Sequence, residues 1–91
     1  MASLFPLGRL VATPGALALL KSEEEDLLPR LLERHQSGDW GDVPSADARE
    51  NEFSVRYGFR VLSSYQVNGE GLWIITERDR SATTLLLPSE Y

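Results

Sequence analysis

Residues Arg60–Leu87 read RVLSSYQVNGEGLWIITERDRSATTLLL, and this stretch decides the fold. Side chains alternate along a strand, so a strand over Arg60–Val67 puts Val61, Ser63, Tyr65 and Val67 on one face. Asn68-Gly-Glu-Gly71 is the turn that follows, and Asn-Gly is a strong hairpin signal because both residues tolerate positive φ. Leu72–Glu77 is a dense run of β-formers. Leu72–Ile75 is apolar on both faces, as a central strand is. Arg78-Asp-Arg-Ser-Ala82 forms the next turn. Thr83–Leu87 is the last strand, and Pro88 stops it. The stretch reads as a three-stranded antiparallel meander.

Working back towards the N-terminus, Leu7–Ala12 alternates weakly and reads as a first strand whose place in the sheet stays open. Thr13 is a good N-cap and Pro14 a good first helical residue, so a short helix follows to about Lys21. Ser22-Glu-Glu-Glu25 has capping-box spacing. Pro29 fits only in a first turn, which starts the second helix near Asp26. Leu27/Leu31 and Leu28/Leu32 are its apolar pairs, His35 continues the first row, and Gly38 ends it. A third helix runs from Pro44 or Ser45 to Tyr57, with Gly58 closing it. Phe53 and Tyr57 are its main apolar pair and are expected to form a narrow buried stripe, since Asp47–Glu52 is very polar. The expected fold is a single α+β domain over residues 1–91. Its order is β-α-α-α-β-β-β, with a mainly antiparallel sheet and helices packed on one face.

Ninety-one residues without cysteine rule out a disulfide framework or a thiolate zinc site, so packing alone stabilises the chain. A chain of this size buries about 60–65% of its unfolded surface, and its expected stability is roughly 5–10 kcal/mol. Pro6, Gly8, Arg9, Pro14 and Gly15 interrupt the apolar N-terminal stretch, so no secretory signal or membrane span is expected. The expected compartment is the cytoplasm. Net charge is −5 and unevenly placed: residues 23–52 carry −7, and the rest sums to +2. That balance argues against direct nucleic-acid binding and for either a basic partner or simple solubility.

Two polar segments could carry chemistry. In Gly38-Asp-Trp-Gly-Asp42, Asp39 and Asp42 flank Trp40. The segment reads as a helix connector with Trp40 in the core, or as a partner contact anchored by Trp40. Two carboxylates are too few for a calcium site, and no metal or other cofactor is expected. Glu77-Arg-Asp-Arg-Ser81 reads as a turn in which Asp79 or Ser81 bonds the backbone while the arginine tips stay solvated, or as a recognition surface that includes Arg80. His35, the sole histidine, lies in the last turn of a helix, where a cation suits the dipole. No nucleophile elbow accompanies it, and no catalytic residue is assigned.

The stretches Gly38-Asp-Trp-Gly-Asp42, Glu50-Asn-Glu52, Trp73-Ile-Ile-Thr-Glu77, Asp79-Arg-Ser81 and Thr83-Thr84 occur together with Leu7-Gly-Arg and Ala12-Thr-Pro-Gly15. In this combination the chain resembles a family of small proteins carried on plasmids, phages and other mobile elements. The resemblance spans Leu7 to Tyr91 and departs near Glu23–Pro29, which is longer and more acidic here. The restriction-subunit label that some relatives carry does not fit, because the chain has no glycine-rich cofactor motif and no room for a methyltransferase domain. The resemblance brings no established activity; with the small size, the acidity and the uneven charge it fits a non-enzymatic acidic binding protein, such as an anti-CRISPR or anti-restriction inhibitor acting on a basic host surface. Asp39, Trp40, Asp42, Glu50, Glu52, Asp79 and Arg80 are its candidate contact residues. The alternatives are a RelE-like toxin ribonuclease, which needs a basic surface for RNA, and a plasmid-maintenance accessory protein.

Overall fold

The Asn68-Gly69 dipeptide sets the register of the sheet. Both residues have positive φ, 51° and 79°, and they form a two-residue hairpin turn. The strand after it therefore begins at Glu70, two residues earlier than expected. The computed structural model describes residues 3–21, 23 and 25–91. Its elements are β1 (Arg9–Ala12), α1 (Pro14–Lys21), α2 (Leu27–Ser37), α3 (Ser45–Tyr57), β2 (Val61–Val67), β3 (Glu70–Thr76), β4 (Ala82–Leu86) and a 3₁₀ turn, Pro88–Glu90. The class is α+β, in the expected order.

The sheet has four strands in the order β1-β4-β3-β2. β2, β3 and β4 form the antiparallel meander, and β1 joins beside β4 in parallel. β1 is shorter than Leu7–Ala12 for a steric reason. Gly8 has φ +67°, and a Cβ there would lie 2.4 Å from the Ser81 carbonyl. The chain bends at this close approach, and the Leu7 carbonyl accepts a bond from the Thr83 hydroxyl instead of joining a ladder.

Val61, Ser63, Tyr65 and Val67 are all buried, as the alternation required. The register aligns Leu72, Ile74 and Thr76 of β3, then Thr83 and Leu85 of β4, on the same face. Ala16 and Leu19 of α1 and Leu31 of α2 pack there. Ala48 and Val55 of α3 pack with Val61, Phe5 and Trp40 at the β2 end. The other face carries Trp73, Ile75 and Leu86, with the Tyr91 ring 5.6 Å from Trp73.

Helix boundaries follow the signals. The Thr13 hydroxyl accepts the Ala16 N–H and donates to Glu90, whose carboxylate also accepts the Gly15 N–H. Hydrogen bonding to Thr13 holds the Glu90 carboxyl below the usual carboxylate range. Gly38 and Gly58 close α2 and α3 in left-handed conformations. The capping box at Ser22–Glu25 lies partly outside the described residues.

α3 corrects the sequence reading. Phe53 and Tyr57 are not its buried stripe: they are 52% and 59% exposed. Asn51 and Ser54 are buried instead. The cause is the open edge of β2, whose Leu62 N–H and C=O point away from β3 and need partners. The Asn51 amide supplies both, accepting from Leu62 N–H at 3.0 Å and donating to Leu62 C=O at 2.7 Å. An amide turned inward rotates Phe53 and Tyr57 outward. The next open position on the edge, Ser64, bonds Trp40 C=O and Asp42 N–H.

Candidate functional site: an aromatic cleft on the outer face of α3

Because Asn51 faces the sheet, α3 presents aromatic rings to solvent. Gly58, at φ +77°, reverses the chain so that Phe59 returns onto the helix. The Phe53 ring lies 4.6 Å from Tyr57 and 5.6 Å from Phe59, nearly parallel to the latter. Phe59 is 43% exposed. Beside these rings opens a cleft of about 610 Å³, walled by Glu50, Phe53, Phe59, Arg60, Glu77 and Arg78. Its volume is in the range of small-ligand and side-chain pockets.

Arg80 ties together the backbones of three residues that line the cleft, which corrects the expectation of solvated arginine tips. Its guanidinium donates to the carbonyls of Phe59 (2.7 Å), Ser54 (2.9 Å) and Glu77 (3.1 Å) and lies 5.3 Å from the Phe5 ring centroid. One side chain thus ties the end of α3 to the β3–β4 turn. Arg80 itself has φ +60°, a conformation that costs a non-glycine residue roughly 1–2 kcal/mol. Charge-assisted bonds to three carbonyls offset that cost. Arg80 is therefore occupied internally.

The other candidate residues fall into distinct places. Trp40 is 5% exposed, and its ring packs with Phe5 and His35. Of the two readings for Trp40, its position is the core one. Its indole N–H donates to Glu52 at 2.9 Å. Asp39 is exposed and paired with Arg34 at 2.6 Å, a hydrogen bond that depresses its carboxyl pKa. Asp42 is exposed on the loop that closes the β2 edge. Asp79 accepts the Ser81 N–H and hydroxyl, which lower its pKa, so that turn is self-satisfied as expected. Glu50 alone of the seven lines the aromatic cleft. Sequence reading missed Phe53 and Tyr57 as surface groups because an apolar pair on a helix ordinarily faces the core.

His35 is the second correction: it is fully buried rather than a cation at a helix end. Nδ1 lies 2.6 Å from Ser63 Oγ and Nε2 lies 2.9 Å from Thr76 Oγ1. Thr76 Oγ1 meets Thr83 Oγ1 at 2.7 Å, and Thr83 donates to the Leu7 carbonyl. That carbonyl can only accept, so the proton directions follow. Thr83 donates to Leu7, Thr76 to Thr83, and the His35 Nε2–H to Thr76. Burial keeps the imidazole neutral, so Nδ1 accepts from the Ser63 hydroxyl. Burial, reinforced by Arg80, lowers the His35 pKa to about 4. Desolvation outweighs the helix-end dipole, which is worth about 0.3–1 kcal/mol. Ser63 and His35 are both fully buried, so this pair meets no substrate.

The neutral ring makes a pH prediction. The unfolded chain takes up a proton near pH 6.5 and the folded one near 4, so stability falls as pH drops through that window. Denaturant melts are expected to show about 2–3 kcal/mol less stability at pH 4.5 than at pH 7.5. His35→Gln removes the only group of this kind, and its profile is expected to be flat down to the carboxylate range. An equally flat wild-type profile contradicts a buried neutral imidazole.

Among the described residues, no group of His, Cys, Asp and Glu side chains is arranged to hold a metal ion. No helix among them is long and apolar enough to cross a membrane. No family model matches the chain, and no curated protein or solved structure matches it either.

Proposed function

We propose that this chain is a non-enzymatic binding protein whose contact surface is the outer face of α3, and that its partner presents a basic protein surface. The exposed Phe53–Tyr57–Phe59 cluster carries the reading. Three adjacent rings, each more than two-fifths exposed, are an uncommon outlay on a 91-residue surface. Aromatic side chains are enriched at the cores of protein interfaces. Glu50 and Glu77 lie beside Phe53 and Phe59, together with Arg60 and Arg78. Asp47 and Glu50 are exposed on the same helix and have no ion-pair partner among the described residues. Exposed unpaired acids steer a basic partner and help to set its register. The resemblance to mobile-element proteins favours a host defence effector with a basic nucleic-acid groove as that partner.

Charge reversal on this face tests the proposal. Glu52 is unsuitable, because it holds the Trp40 indole. Asp47→Lys with Glu50→Lys leaves the core intact and costs under about 1 kcal/mol through the helix dipole. Against the effector isolated on the immobilised protein, the double variant is expected to bind at least tenfold more weakly, with wild-type affinity falling as salt rises. Affinity unchanged within twofold, and insensitive to salt, means that the acids only solvate the domain.

A ribonuclease reading of the RelE kind receives less support. It calls for a basic RNA-binding surface, and the net charge of the chain is −5.

A further inference from the structure

The two edges of the sheet are finished differently. β2 is closed by the Asn51 amide and by the loop that carries Trp40 and Asp42. β1, at the other end of the strand order, has no neighbour on its outer side among the described residues. The Arg9 and Thr13 N–H groups bond the Ser81 and Leu85 carbonyls. Alternate residues of a strand turn their backbone groups to opposite sides, so Leu10 and Ala12 direct N–H and C=O outward. The strand is open to solvent, with Leu10 47% and Val11 39% exposed.

We propose that β1 is a dimer seam, pairing antiparallel with β1 of a second copy about a two-fold axis at Val11. The edge selects this register. Leu10 then pairs with Ala12 of the second copy, and every outward N–H and C=O of the strand finds a partner. An axis at Leu10 sets Ala12 against Gly8, where the chain bends towards Ser81. An axis at Ala12 sets Leu10 against Pro14, which has no N–H to give. Charge agrees with the register. Arg9 faces Thr13 of the second copy in a pair whose side chains are close. The Glu90 carboxylate is anchored at Thr13, where hydrogen bonds from the Thr13 hydroxyl and the Leu87 and Gly15 N–H groups keep it ionised. The Arg9 guanidinium has no ion-pair or hydrogen-bond partner among the described residues. The two-fold axis brings Arg9 to Glu90 at both ends of the seam, a complementarity that a second copy supplies and an arbitrary strand does not. The seam is short, so the dimer is weak and forms at high concentration.

The chain has no cysteine, so single cysteines report the seam. Val11→Cys sets two thiols across the axis in a non-hydrogen-bonded pair, about 4.5 Å between Cα atoms, which a disulfide spans. At millimolar concentration it is expected to oxidise to a dimer at least tenfold faster than Gln66→Cys, which is exposed on the other edge strand. Sedimentation of the cysteine-free chain is expected to show a monomer–dimer equilibrium that weakens with salt. Val11→Lys sets like charges on the axis, and Leu10→Pro removes an outward N–H but no bond to β4. Each is expected to weaken the dimer at least tenfold while melting as a folded chain. A chain that stays monomeric at millimolar concentration, a dimer untouched by Val11→Lys, or equal rates of cross-linking overturns the proposal. So does a dimer that Phe53→Ala dissociates and Val11→Lys does not, since the contact then lies on α3. A native chain that stays monomeric while Leu10→Pro weakens the effector also overturns it, since the edge then takes a strand of the partner.

Discussion

Ile74→Ala is expected to cost about 2–5 kcal/mol, the usual range for emptying a filled core position. Ile74 sits in the middle of β3, fully buried, between Ser63 on β2 and Leu85 on β4. It belongs to the cluster that joins α1 and α2 to the sheet. Truncation leaves a cavity that none of the three strands can close without breaking ladder bonds. Against a stability of roughly 5–10 kcal/mol, the loss removes a large share of the total. Equilibrium denaturation checks it, and a loss below about 1 kcal/mol contradicts a central position for this strand.

Trp40→Ala is expected to cost about 3–5 kcal/mol. The ring fills the space between Phe5, His35 and Val61, and its N–H holds Glu52. Its backbone carbonyl accepts the Ser64 N–H, so the same residue closes the exposed edge of β2. The neighbouring Gly41 shows how close this approach is, since a Cβ there would lie 2.0 Å from the Ser64 carbonyl oxygen. Thermal melts of Trp40→Ala that match wild type contradict the core placement and return Trp40 to the surface.

The meander was legible because its signals are local. Alternation over Val61–Val67, the Asn68-Gly69 turn and the doubly apolar β3 each depend on neighbours in sequence. The helices were legible from Thr13, Pro14, Gly38 and Gly58 for the same reason. The pairing of β1 with β4 was not, because it joins segments some seventy residues apart through a four-residue strand with no distinctive pattern. The facing of α3 was misread because its decisive residue is polar. Asn51 is buried for its two hydrogen bonds to Leu62, and hydrophobic patterning carries no mark of such a need. His35 and Arg80 escaped in the same way. Each is a polar group whose partners, Thr76 and Ser63 for one and Ser54 and Phe59 for the other, are distant in the chain. The cleft follows from these misread residues, since Asn51 turns the rings outward and Arg80 ties together backbones that line it.

An aromatic face of α3 that serves contact is surplus to folding. The direct test is the denaturant midpoint of Phe53→Ser with Tyr57→Ser. Exposed rings predict a change in stability under about 1 kcal/mol, because truncation there opens no cavity. A loss of about 3–5 kcal/mol or more, the cost of removing buried aromatic rings, contradicts it and makes this cluster part of the core.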